Sequence, residues 1–170
     1  SPMSVVGWIK TASTATQGIV VKRDEASAPY YSGWMVYVSN GELYALYIND
    51  LDANLYLQEN TTTSSSLSNN AWHHFAITKS TLSTSAGLKF YIDGVEDTTT
   101  NVGMNTLDTN EIRVDVPVRL GIGSDGTSFP FSGRMDNIGI YSSELSLTDI
   151  QSLCGWDGDW GPDRGPPEAT

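Results

Sequence analysis

The stretch Trp72–Val95, WHHFAITKSTLSTSAGLKFYIDGV, constrains the fold more than any other part of the chain. Its side chains alternate. Trp72, His74, Ala76 and Thr78 point one way, and His73, Phe75, Ile77 and Lys79 the other. Further on, Leu88, Phe90 and Ile92 share one face, and Lys89, Tyr91 and Asp93 the opposite one. A period of two is the strand signature. The Ser/Thr/Gly run Ser80–Gly87 between them is loop chemistry, and Asp93-Gly94 supplies the positive φ of a hairpin turn.

The same logic applies along the chain. Strands are expected over Met3–Lys10, Gly18–Arg23, Gly33–Ser39, Glu42–Asn49, Ala53–Gln58, Val118–Gly123 and Phe131–Tyr141, with another near Glu111–Val114. Asn40-Gly41 is a strong hairpin signal. Ser146-Leu147-Thr148-Asp149 forms a capping box for a short helix over Leu147–Leu153, whose Leu147, Ile150 and Leu153 share a face. Gly155 stops it. The tail 156–170 is Gly/Pro-rich and reads as a linker or arm, so the domain is expected to span 1–155. About ten short strands separated by turn signals predict an all-β, two-sheet antiparallel β-sandwich with one short C-terminal helix.

Four pieces in order resemble the laminin-G-like, concanavalin A-like jelly-roll domains. They are Val6-Gly7-Trp8-Ile9-Lys10; Gly33-Trp34-Met35-Val36 followed by Asn40-Gly41-Glu42-Leu43; the W-H-H-F-A and G-L-K-F-Y-I-D-G pair; and Gly133-Arg134-Met135-Asp136-Asn137-Ile138-Gly139-Ile140-Tyr141 with Leu145-Ser146 and Ile150 behind it. The resemblance implies the jelly roll. It also implies a strand ahead of Val6–Lys10, paired with the closing strand, for which Ser1–Ser4 is too short. Either the sequence starts inside the domain, or that place is filled by another segment, from the tail or from a neighbouring subunit by strand addition.

Charge and motifs narrow the function. With 20 acidic and 9 basic residues the net charge is −11. That argues against nucleic acid and anionic membranes, which need a basic face. No run approaches the ~20 apolar residues of a membrane span. A lone Cys154, behind Ile150 and Leu153, reads as a small buried hydrophobe. Retaining glucanases of this fold carry an E-x-D-x-E strand, and this chain has none. His73 and His74 are adjacent, face opposite sides of a strand and cannot act together. They read as one surface and one core-edge histidine. Neither a G-x-S-x-G elbow nor an H-E-x-x-H motif is present. The chain reads as a non-enzyme.

Two ligand classes are left. Calcium takes six to eight oxygens, and the resemblance implies a structural calcium at Asp136, on the closing strand. Asp24 and Asp125 are added because they open or sit in loops that could face it, although each also reads as a turn or strand-end acceptor. Sugars need exposed aromatics with polar partners. Tyr30, Tyr31, Tyr44 and Tyr56 are the candidates. Tyr44 and Tyr56 lie opposite the runs Leu43/Ala45/Tyr47 and Leu55/Leu57, and Asn49 and Asp52 are polar partners nearby. Aromatics suit sandwich strands in any case. Trp8, Trp34 and Trp72 read as core.

The expected function is a non-catalytic recognition or adhesion module that binds glycans or surface proteins, holds calcium, and sits outside the cell or on a surface. The alternative is a structural subunit of a virion or appendage, self-assembling through an open edge and the tail.

Overall fold

The computed structural model describes residues 1–24, 32–50, 55–61, 66–80, 85–106, 112 and 114–155. They form a two-sheet antiparallel β-sandwich. One sheet has the order β11-β1-β6-β7-β8: β1 is Met3–Thr11, β6 Trp72–Lys79, β7 Leu88–Ile92, β8 Val95–Asp97 and β11 Gly133–Tyr141. The other has the order β10-β2-β3-β4-β5-β9: β2 is Gln17–Arg23, β3 Gly33–Ser39, β4 Glu42–Asp50, β5 Leu55–Thr61, β9 Thr99–Asn105 and β10 Arg119–Leu120.

The alternation read from the sequence sets what each sheet buries. Phe75, Ile77, Phe90 and Ile92 meet Val5 and Ile9 on the inner face of the five-stranded sheet, and pack against Trp34, Val36, Val38, Leu43, Ala45, Tyr47 and Leu57 of the other. Most of these are fully buried, each stabilising by about 1.5–3 kcal/mol. The expected turns are present. Asn40 and Gly41 have φ of 52° and 81°, and Asp93 and Gly94 of 51° and 76°, so each pair matches the strand twist.

The helix α1 covers Leu147–Cys154. Its N-cap Ser146 and Asp149 form the reciprocal capping box, and Gly155 closes it at φ 70°. The buried face differs from the expected one. Ile150 and Cys154 are buried, whereas Leu147 and Leu153 are 45% and 38% exposed. Ile150 packs with Val6, Ala76 and Tyr91 on the outer face of the five-stranded sheet. One turn separates Ile150 from Cys154, and that pair, not Leu147–Leu153, lies over the sheet.

Other expectations shift. The polar stretch after Asp97 contains β9, because its backbone completes the edge of β5 (Glu59↔Asn101, Thr61↔Thr99) despite a composition that hides it. The strand expected near Glu111–Val114 is not seen at Ile112 or Val114, and Glu111 and Arg113 lie outside the described residues. Val118–Gly123 shortens to β10, since Gly121 adopts φ 71°. Trp72 is half-buried, not core. Neither histidine is on the surface: His73 is 8% and His74 1% exposed. Asp93 serves both. Its Oδ2 pairs with His73 Nδ1 at 2.8 Å, and its Oδ1 accepts the His74 backbone N–H at 2.8 Å. The carboxylate thereby ties β6 to the β7–β8 turn.

The closing strand pairs directly with β1 (Trp8↔Asp136, Ile9↔Met135). Its other edge pairs with no strand among the described residues. On this edge strand Ile140 is 45% exposed.

Candidate functional site

The candidate site lies on the outer face of the six-stranded sheet. Cross-strand partners share a face, so the register builds the surface row by row. One row is Arg119–Val21–Met35–Leu46–Gln58, the next is Arg23–Gly33–Ile48–Tyr56, and on the other side lies Gly18–Tyr37–Tyr44. Apolar side chains form the centre. Val21, Met35 and Tyr37 are buried, with Tyr44 and Leu46 packed against them. Gly33 leaves its place in the grid empty. A Cβ there would sit 2.3 Å from the Lys22 carbonyl oxygen.

Tyr37 and Tyr44 stack with ring centroids 4.7 Å apart and planes 14° apart. Gln58 Nε2 donates to the Tyr37 hydroxyl at 2.6 Å, and the Tyr44 hydroxyl donates to Glu42 Oε2 at 3.1 Å. Burial pushes the Tyr37 phenol up to about 12. Tyr44 is also raised, by burial and then by Glu42. Both phenols therefore stay neutral donors at physiological pH.

Above the pair is a hollow of about 300 Å³, lined by Thr16, Arg23, Met35, Tyr37, Ser39, Tyr44, Leu46 and Phe129. Phe129 comes from the loop after β10 and is 38% exposed. Its φ is 51°, a left-handed conformation that a bulky side chain avoids. The surrounding loop holds it there. Gly18 N–H donates to the Phe129 carbonyl at 2.8 Å, and Gly123 N–H to the Ser128 carbonyl at 2.6 Å. Asp125 Oδ1 accepts the Thr127 and Ser128 amides at 2.8 and 2.7 Å, and its Oδ2 accepts the Ser128 hydroxyl at 2.5 Å. Those bonds, the Ser128 ones foremost, hold the Asp125 carboxyl far below the usual range.

A second hollow of about 240 Å³ adjoins at Arg23, lined by Arg23, Asp24, Val116, Pro117, Arg119, Ser124 and Asp125. The two form a cleft with an aromatic end and a charged end.

The structure scatters the sequence candidates. Tyr44 lies at the heart of the cleft. Tyr56 is on the same face, two strands from Gly33 in the same row. Asn49 sits at the bulge between Ile48 and Asp50, away from the stack. Tyr30, Tyr31 and Asp52 lie outside the described residues. Asp24 and Asp125 line one hollow. Asp136 is on β11 in the other sheet, exposed, accepting the Asn137 amide at 2.8 Å.

Asp125 does not fit a calcium site as it stands. Asp125 spends its oxygens on its own loop, and Arg23 and Arg119 bring positive charge into the same walls. Among the described residues no three His, Cys, Asp or Glu groups are placed to hold a metal. Residues 25–31, which follow Asp24, lie outside the described residues.

Sequence reasoning missed Tyr37, Arg23, Arg119 and Phe129. Tyr37 was readable: it shares the period-two face of Met35, opposite Val36 and Val38. No local signal marks Phe129, because its exposure depends on a loop conformation and not on composition.

This fold has relatives. The family model of the concanavalin A-like lectin/glucanases superfamily (Laminin_G_3) matches residues 1–151. The chain belongs to this superfamily. No curated protein matches it in sequence. Among solved structures, it is similar to the CBM40 of the Ruminococcus gnavus IT-sialidase, at 16% identity and TM-score 0.69, over 90% of this chain and 82% of that one. The same CBM40 bound to α2,3 sialyllactose gives 18% identity and TM-score 0.68, over 91% and 83%. The ligand binding domain of botulinum neurotoxin serotype D, in complex with N-acetylneuraminic acid, gives 21% identity and TM-score 0.58, over 92% of this chain but 37% of that one. At these identities the likeness is one of fold. This superfamily member spans little more than a third of the toxin chain. No helix among the described residues is long and apolar enough to cross a membrane.

Proposed function

We propose that this domain is a non-catalytic glycan-binding module whose site is the cleft on the outer face of the six-stranded sheet. The observation that carries the reading is Phe129, an exposed aromatic held at φ 51° on the rim of a hollow floored by the stacked Tyr37 and Tyr44. Backbone strain of this kind persists where the surrounding structure over-determines it, and it gathers at ligand clamps. Aromatic faces and C–H-rich Met35 and Leu46 suit the apolar face of a pyranose, while Glu42, Gln58, Ser39 and Thr16 suit its hydroxyls. The sialyllactose and N-acetylneuraminic acid bound in the CBM40 and toxin structures support the class. A secreted or surface location belongs to the same proposal.

A glycan array with the wild-type chain, Phe129→Ala and Tyr44→Ala tests it. Binding to a defined glycan class, lost in both variants, supports the reading. Binding that survives both would place the ligand elsewhere. Calcium enters the proposal only through Asp24. A chelator that lowers the melting temperature by several degrees would support it, and an unchanged melting temperature would remove it.

A second reading is favoured by the open margin at β11. The edge of β11 at Ile140, which pairs with no strand among the described residues, suits strand addition by another chain. Native mass at high concentration tests self-assembly directly.

A further inference from the structure

Within the proposed glycan cleft, on which this inference rests, we propose that the Arg119 guanidinium is a carboxylate-binding fork and that the ligand is an acidic sugar.

Arg119 lies on β10, opposite Val21, on the face that carries the aromatic floor. Its Nε donates to the Ser124 carbonyl at 2.9 Å. Among the described residues that is its one hydrogen bond, so both terminal nitrogens remain to donate. The bond fixes the plane of the guanidinium and lowers the ordering cost of using those nitrogens. A planar pair of N–H donors matches a carboxylate in the bidentate geometry that makes such contacts strong. Arg119 and Arg23 line the charged hollow together, and Arg23 also lines the aromatic one. A ligand lying across Arg23 therefore places one end by the fork and the other over Tyr37 and Tyr44.

The walls discriminate among anions. Asp24 and Asp125 share the charged hollow with the two arginines. A compact anion such as sulfate would meet those acids with nothing to offer them. A sugar that carries a carboxylate also carries hydroxyl donors, and it satisfies both kinds of wall. The net charge of −11 makes the point general. The field of the whole molecule repels anions, so an anionic ligand has to be captured by directed donors and not by long-range attraction.

The test titrates the whole chain, by isothermal calorimetry and amide NMR, with α2,3 sialyllactose, a glucuronate-terminated disaccharide, lactose and inorganic sulfate. Wild type should bind at least one acidic sugar roughly tenfold or more tightly than lactose, the size of one charge-assisted contact. Arg119→Gln and Arg119→Lys should both bring that sugar to the lactose level and leave lactose unchanged. The lysine keeps the charge and loses the fork. Sulfate should not compete. An acidic sugar that binds no better than lactose, or Arg119 variants that bind it like wild type, would overturn the fork. So would failure of both acidic sugars to bind at millimolar concentration. Failure of the underlying cleft reading shows separately, as sugar binding that Phe129→Ala leaves intact. A melting curve and the amide spectrum of each variant confirm that it is folded.

Discussion

Tyr37 and Tyr44 face each other across β3 and β4 with ring centroids 4.7 Å apart and planes 14° apart. The pair is unequal. Tyr37 is 9% exposed and takes a hydrogen bond from Gln58, whereas Tyr44 is half-buried at the mouth of the hollow. One ring serves the sheet and the other is offered to solvent.

That asymmetry separates the two substitutions. Tyr37→Ala should cost about 3 kcal/mol, by creating a cavity beneath Met35 and leaving Gln58 without its partner. Tyr44→Ala should cost about 1 kcal/mol and abolish glycan binding. Urea unfolding and a binding titration on the same samples check both.

Phe129 opposes stability to function. Its left-handed backbone costs about 1–2 kcal/mol for an L-residue, and glycine does not carry that cost. Phe129→Gly should therefore leave the melting temperature unchanged or raise it, while binding is lost. A melting temperature several degrees lower would mean that the ring is part of the core.

Acid should destabilise the protein through His74. It is 1% exposed, packs edge-on against Trp8 with ring centroids 5.4 Å apart, and its Nδ1 has no hydrogen-bond partner among the described residues. Burial lowers its pKa to about 4, against a partial opposing pull from Asp93. The unfolded chain takes up a proton near 6.5 and the folded one near 4. Stability is thus full above the unfolded value, falls as pH drops through that window, and levels off below it. The loss is of order 3 kcal/mol. His74→Leu should flatten the slope of unfolding free energy between pH 6.5 and 4; an identical slope in both proteins would assign it to other groups.

Asp93 should be the costliest surface-proximal acid to replace. Asp93→Ala removes the acceptors for His73 and for the His74 amide, and puts alanine at φ 51°. About 3 kcal/mol is expected. Asp93→Asn, which tolerates this backbone and keeps one acceptor, should cost about 1 kcal/mol. Chemical denaturation of the two variants measures the difference.

Cys154 should be inert in the native state. It is 2% exposed on the buried face of α1, and burial pushes its thiol up to about 12. Alkylation at pH 8 should follow global unfolding; fast labelling of the native protein would show that α1 detaches by itself.

The fold was legible because its information is local. Period-two alternation in Trp72–Lys79 and Leu88–Ile92, with Asn40-Gly41 and Asp93-Gly94 at the turns, carries the sandwich. What was hidden depends on tertiary pairing. The strand Thr99–Asn105 is polar and exists because β5 offers it an edge. The face of α1 depends on where the helix lands on the sheet. The site was half legible: alternation put Tyr44 opposite the inner run of β4, as found. Arg119 reaches the same face through a two-residue strand, and Phe129 through a loop pinned by Asp125. Neither is marked by any short motif.

Amide chemical-shift mapping with α2,3 sialyllactose and lactose bears most directly on the cleft as a sugar site. The account predicts that perturbed amides cluster at Thr16, Arg23, Met35, Tyr37, Tyr44, Leu46 and Phe129, the walls of the aromatic hollow. Shifts confined to the five-stranded sheet or to α1, or no shift with any glycan of a broad panel, would contradict it.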